Sequence, residues 1–217
     1  MDWEDALAWV LNGLGLGLAL ATFFLRWPAA IIACTLVPWA ALLTTVPLRK
    51  SPMGFWGRRR EGPNLIMTFL LPGAGLCMWA RTDVNFLDLR PVLVASAIVA
   101  IVLVGMLYVV QARRMPKDIR VLLSLLMFGG LYGFGVVTAV DVVGDSQAVA
   151  SYPTVVAGLR HFNKGSAWTL APWGPMRDET TAGLGRLTNK VKAGDRVCVT
   201  LHDGRLRLEW YEVNGCP

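Results

Sequence analysis

The chain is short of nearly everything that catalysis draws on. It has two histidines, His161 and His202, forty-one positions apart and without Cys or Glu at metal-ligand spacing, so they read as strand or turn histidines, not ligands. No CxxC occurs among its four cysteines, which removes the usual signal for a thiol oxidoreductase or a cysteine zinc site. GxSxG, HExxH, Walker and nucleotide-binding glycine signatures are missing too, leaving hydrolase, zincin and ATPase readings without a motif. The carboxylate pair Asp178-Glu179 lies in a polar, turn-like stretch and reads as a solvated loop. The expectation is a protein with no catalytic residue, no cofactor and no metal.

Charge is scarce as well. Only 17% of the 217 residues are charged, 54% are hydrophobic and mean hydropathy is +0.48, outside the usual range of a soluble domain. The net charge of +6 is uneven. Residues 1–140 carry twelve Lys/Arg against seven Asp/Glu, whereas residues 141–217 carry nine against eight. The excess therefore falls in loops between apolar runs, where membrane topology explains it and nucleic acid is not implied as a partner.

Long apolar runs are what the chain does have. Five are expected to be transmembrane helices, over about 6–25, 28–46, 63–80, 92–110 and 120–140. Uncharged stretches of this length reach across a hydrocarbon core of ~30 Å at ~1.5 Å per residue. Met1 to Asp5 is acidic, without the basic start or cleavage site of a secretory signal, so the first run is expected to stay as a helix. Pro38 should kink the second span, and Pro72-Gly73-Ala74-Gly75 suggests a break near the middle of the third.

Two loops set the orientation. Arg49, Lys50, Arg58, Arg59 and Arg60 crowd one, and Arg113, Arg114 and Lys117 the other; both belong in the cytoplasm. Five crossings satisfy both, with the N-terminus inside and everything after Asp141 outside. Arg58-Arg59-Arg60, flanked by Phe55 and Trp56, is also a candidate site for anionic lipid headgroups, although topology alone accounts for it. Ionisable groups are nearly missing from the spans, which disfavours transport. Gly13/Gly17 and Gly129/Gly133 are GxxxG pairs that would let helices pack closely, within one chain or between copies in a homo-oligomer.

The pattern changes at residue 146. From there to 217 apolar residues alternate, and a small β-rich domain of ββαββ order is expected, following the transmembrane region 1–145. One hairpin is expected from Tyr152–Phe162 and Ser166–Trp173, turning at Asn163-Lys164-Gly165. A second is expected to turn at Asp203-Gly204, pairing Leu201 with Leu206, Val199 with Leu208 and Val197 with Trp210, which leaves Cys198 opposite Glu209. Thr181 to Val191 is expected to be a short helix between them. Cys34 and Cys77 fall in spans as packing residues. Cys198 and Cys216 fall in the outer domain, where an oxidising compartment allows a disulfide; two unpaired thiols are the alternative.

Gly194-Asp195-Arg196-Val197, Gly204, Trp210-Tyr211 and Cys216, preceded by Ala171-Pro172-Trp173-Gly174, resemble the closing pattern of uncharacterised multi-pass inner-membrane proteins of proteobacteria. The resemblance covers the last third of the chain, implies the architecture and carries no catalytic residue. The sequence thus points to a bacterial inner-membrane protein that anchors a small periplasmic interaction domain, with the lipid bilayer and a periplasmic protein as its partners. A transport component or membrane enzyme with an unrecognised site is the alternative.

Overall fold

The computed structural model describes residues 3–45, 65–111, 119–145, 147–162, 165–187 and 190–216. Two compact units emerge: Met1–Trp79 with Val92–Ala139, which is helical, and Ala80–Pro91 with Val140–Pro217, which is β-rich.

All five apolar runs form helices: α1 (Trp3–Leu20), α2 (Pro28–Thr45), α3 (Ile66–Asp83), α4 (Leu89–Gln111) and α5 (Ile119–Val142). A helix is what such runs must form if they enter lipid, because it satisfies each backbone polar group within the segment. Among the described residues three stretches are long and apolar enough to cross a membrane: Ala6–Leu25, Leu89–Val110 and Leu122–Val142. The apolar part of α2, Pro28–Leu43, is shorter, and α3 gives up hydropathy to Pro72, two glycines, Arg81 and Asp83. On α4, Leu93, Val94, Ile98, Ile101 and Val109 are each more than half exposed, a surface suited to lipid.

Helix α3 is continuous from Ile66 to Asp83. The expected break at Pro72-Gly73 is not there, because the glycines serve as contact points. A side chain on Gly75 would meet Ala19 of α1 at 2.8 Å, and one on Gly73 would meet Tyr132 of α5 at 3.1 Å. Gly135 sits in the same way against Leu76 and Cys77. Asn12 of α1 accepts hydrogen bonds from the amide and hydroxyl of Thr68 at 2.9 and 2.8 Å. This meets an amide at the start of α3 that has no partner within its own helix.

The β-rich unit is a single six-stranded sheet: β1 (Asn85–Phe86), β2 (Ala148–Phe162), β3 (Gly165–Leu170), β4 (Thr180–Ala182), β5 (Arg196–His202) and β6 (Trp210–Gly215). Its spatial order is β1-β6-β5-β2-β3-β4, and every pairing is antiparallel. β2 is long enough to pair with β5 along its first half and β3 along its second, bending at an irregularity between Val156 and Gly158. The sheet curls until its ends meet. The side chain of Asn85 on β1 donates to the Gly183 carbonyl at 3.0 Å and accepts from the Gly183 amide at 2.7 Å, standing in for a strand pair just past β4. The result is a small barrel-like sheet filled by Val156, Leu170, Trp173, Val199, Tyr211 and Val213.

Two expectations for this unit need correction. The helix expected over Thr181–Val191 is instead strand β4 and a single 3-10 turn, Gly185–Leu187. The second hairpin has another register: Leu201 pairs with Tyr211, Val199 with Val213 and Cys198 with Asn214, so Cys198 does not oppose Glu209. Because side chains alternate across a strand, this phase puts Tyr211 and Val213 in the core and turns Trp210 to the other face. Residues 203–209 form a longer connection, for a reason that lies in the acidic end of α5.

Candidate functional site

Helix α5 ends badly by electrostatics, with Asp141 and Asp145 at the negative end of its dipole. The remedy comes from residues 204–206. Asp141 Oδ1 accepts from the Leu206 amide at 2.7 Å, and Asp145 Oδ2 accepts from the Gly204 amide at 3.1 Å. The Arg205 amide donates to the Asp141 carbonyl at 3.1 Å, and its guanidinium to the Gly144 carbonyl at 3.2 Å. These donors cap the helix from a distant part of the chain, meeting carbonyls that no intrahelical amide reaches.

That capping explains why Asp203-Gly204 does not make the expected tight turn. Gly204 does have the positive φ of a turn glycine, +68°, but its amide is committed to Asp145, and a side chain there would run into the Asp141 carboxylate. The chain turns later, where the Arg207 amide reaches the Gly204 carbonyl at 3.2 Å.

Beside this cap lies His202, 6% exposed, at the end of β5. Its ring stacks on the Trp210 indole, centroids 4.1 Å apart and planes within 8°. Nδ1 faces Asp145 Oδ2 at 4.0 Å, and Nε2 faces Glu212 Oε1 at 3.9 Å. Both are too long for a hydrogen bond, and neither ring nitrogen has a partner. Asp145 Oδ2 also accepts from the Trp210 indole N–H at 3.3 Å, which holds that carboxylate beside the ring. Asp141 is fully buried, and its Oδ2 lacks a donor. Among the described residues no group of three His, Cys, Asp or Glu side chains is arranged to hold a metal ion.

Other residues singled out by sequence are scattered. Cys198 and Cys216 are joined in a disulfide with Cα atoms 5.0 Å apart, tying β5 to the end of β6. Gly129 faces Val104 and Ala100, and Gly133 faces the Ser96 carbonyl, forming the α4–α5 seam. A side chain on Gly13 or Gly17 would meet nothing within 4 Å; the close contacts of α1 are at Ala19, against Gly75, and at Gly15, where a side chain would meet Thr68 at 3.0 Å. Arg58, Arg59 and Arg60 lie outside the described residues. Asp178 and Glu179 are exposed.

Sequence reasoning passed over the His202 cluster because its acidic members from the end of α5, Asp141 and Asp145, lie about sixty positions before the histidine. The one local signal was two carboxylates four residues apart at a helix C-terminus, against the usual preference for Lys and Arg there.

The chain matches no protein-family model, no curated protein and no solved structure.

Proposed function

We propose that this is a bacterial inner-membrane protein whose helices cross the bilayer five times and anchor a small periplasmic barrel that binds a protein partner, without catalysis of its own. The disulfide carries this reading. A Cys198–Cys216 bond belongs in an oxidising compartment, and the periplasm is the one a bacterial membrane protein reaches. Chain connectivity agrees with it. β1 lies between α3 and α4 yet belongs to the same sheet as β6, so the α3–α4 connection and the C-terminal strands share one side of any membrane. If the long apolar helices α4 and α5 each cross once, the sequence between them belongs to the opposite side, and its Arg113, Arg114 and Lys117 favour the cytoplasm.

An interaction role is supported by the outer face of β2. Val149, Pro153, Val155, Ala157 and Leu159 alternate along it, and all are exposed. An apolar stripe on a barrel with a filled interior suits contact with another protein better than turnover of a small molecule. The test is a pair of fusions after residue 217 in growing cells: active alkaline phosphatase is expected, whereas a fluorescent cytoplasmic reporter would overturn the topology.

One observation favours the alternative, a transport component or membrane enzyme. Asp141 lies within the Leu122–Val142 stretch, fully buried and with one oxygen lacking a donor, and acids in such places often serve a pathway. Loss of the cellular phenotype in Asp141→Asn, with protein level and fold unchanged, would move the reading there.

A further inference from the structure

We propose that His202 is an acid-operated clamp that fastens the last turn of α5 to strands β5 and β6. The ring sits between two carboxylates from different elements, Asp145 just after α5 and Glu212 on β6, one opposite each nitrogen at 4.0 and 3.9 Å. It is buried, and the coplanar Trp210 indole holds it in place, so it cannot swing out to water without disrupting that stack. A neutral imidazole has one N–H and one lone pair. One carboxylate therefore always faces a lone pair, and at most one end of the ring can be bound. Taking a proton from solvent adds the second N–H and a positive charge, so each nitrogen then draws in the carboxylate opposite it, and closing the gaps of 4.0 and 3.9 Å makes both contacts charge-assisted hydrogen bonds.

Around the ring, the segment just after α5 supplies Asp145, and β6 supplies Glu212 and the uncharged Trp210. β2 places Ala148 directly opposite His202, and the 204–206 segment is engaged with Asp141, Asp145 and Gly144. The ring's ion-pair partners among the described residues are those two carboxylates, and no cation is paired with it. The sign follows: the clamp is closed on the acid side and loses one arm as pH rises. Asp145 also holds the Gly204 amide and the Trp210 indole N–H, so its movement is passed on to the cap of α5.

The chain has only two histidines, so the full-length protein in detergent, labelled at the histidine ring carbons, gives two signals that His202→Gln assigns. Between about pH 5 and 8 the His202 signal and the Trp210 indole N–H are expected to shift with one midpoint. Glu212→Gln, at a half-exposed position, and Asp145→Asn, which keeps an acceptor for Gly204, should each move that midpoint downward. A His202 ring that does not titrate in this range overturns the clamp. So does an indole signal that moves independently, or a midpoint that neither carboxamide shifts.

Discussion

The two units hold together by opposite means. The helical unit coheres where side chains are missing: Gly15, Gly75, Gly133 and Gly135 let one backbone rest on another, and contact is spread along the seams. The β-rich unit has a filled apolar core, and its margins are closed by a few directional bonds: the Asn85 amide across the closing edge, the disulfide at the end of β6 and two carboxylates over the 204–206 amides. A seam of surface contact fails when bulk is added anywhere along it. A ring of single bonds fails when one named atom is removed.

The largest effect is therefore expected in the helices. Gly133→Leu drives a side chain into the Ser96 carbonyl and should destabilise the protein in detergent by about 3 kcal/mol, the upper end for overpacking. Gly13→Leu, with open space around it, should leave thermal unfolding almost unchanged. Similar losses for both would end the contrast between packed and open glycines.

Next come the bonds of the barrel. Cys198→Ser and Cys216→Ser should each cost about 3 kcal/mol in chemical denaturation, given an 18-residue separation, and the double variant little more than either. Additive losses would mean that the thiols act separately. Asn85→Ala leaves the Gly183 amide and carbonyl without their partner and should cost about 2 kcal/mol, seen as faster hydrogen exchange along β4. Unchanged exchange there would show that the sheet closes without it.

The smallest effect is alkaline. Burial pushes the Tyr211 phenol up to about 12, whereas an unfolded chain releases that proton near ~10. The unfolded state thus holds fewer protons above that point, so stability is intact below it and declines by about 1 kcal/mol by pH 11. Tyr211→Phe should flatten this limb of the stability profile. A limb that survives the substitution belongs to another group.

The same division governs what could be read from sequence. Five uncharged runs give five helices, because hydropathy is a property of consecutive residues. The inward face of β5, Val197 and Val199, follows from alternation for the same reason. What escaped depends on distant partners. Asp203-Gly204 has the composition of a two-residue turn, and only the carboxylates of Asp141 and Asp145, some sixty positions earlier, explain why the chain does not turn back there. Asn85 reads as loop between two helices, and its part in the sheet appears only once Gly183 lies beside it. His202 reads as a plain strand residue until β6 brings Trp210 and Glu212 to it.

The origin of β1 has a consequence for how the molecule is made. The first stave of the barrel is synthesised between α3 and α4, and the strand it pairs with, β6, ends more than a hundred residues later. During synthesis β1 must wait for its strand partner while α4, α5 and four further strands are made. Closure joins segments far apart in the chain, a slow step for any fold because the loop entropy is lost before the contact is gained. β1 is thus laid down early between α3 and α4, and the sheet can shut on that side only once β6 has been made. A ribosome that stalls before Trp210 would leave that strand without its neighbour, and a quality-control protease would find there an open edge that the finished protein never shows.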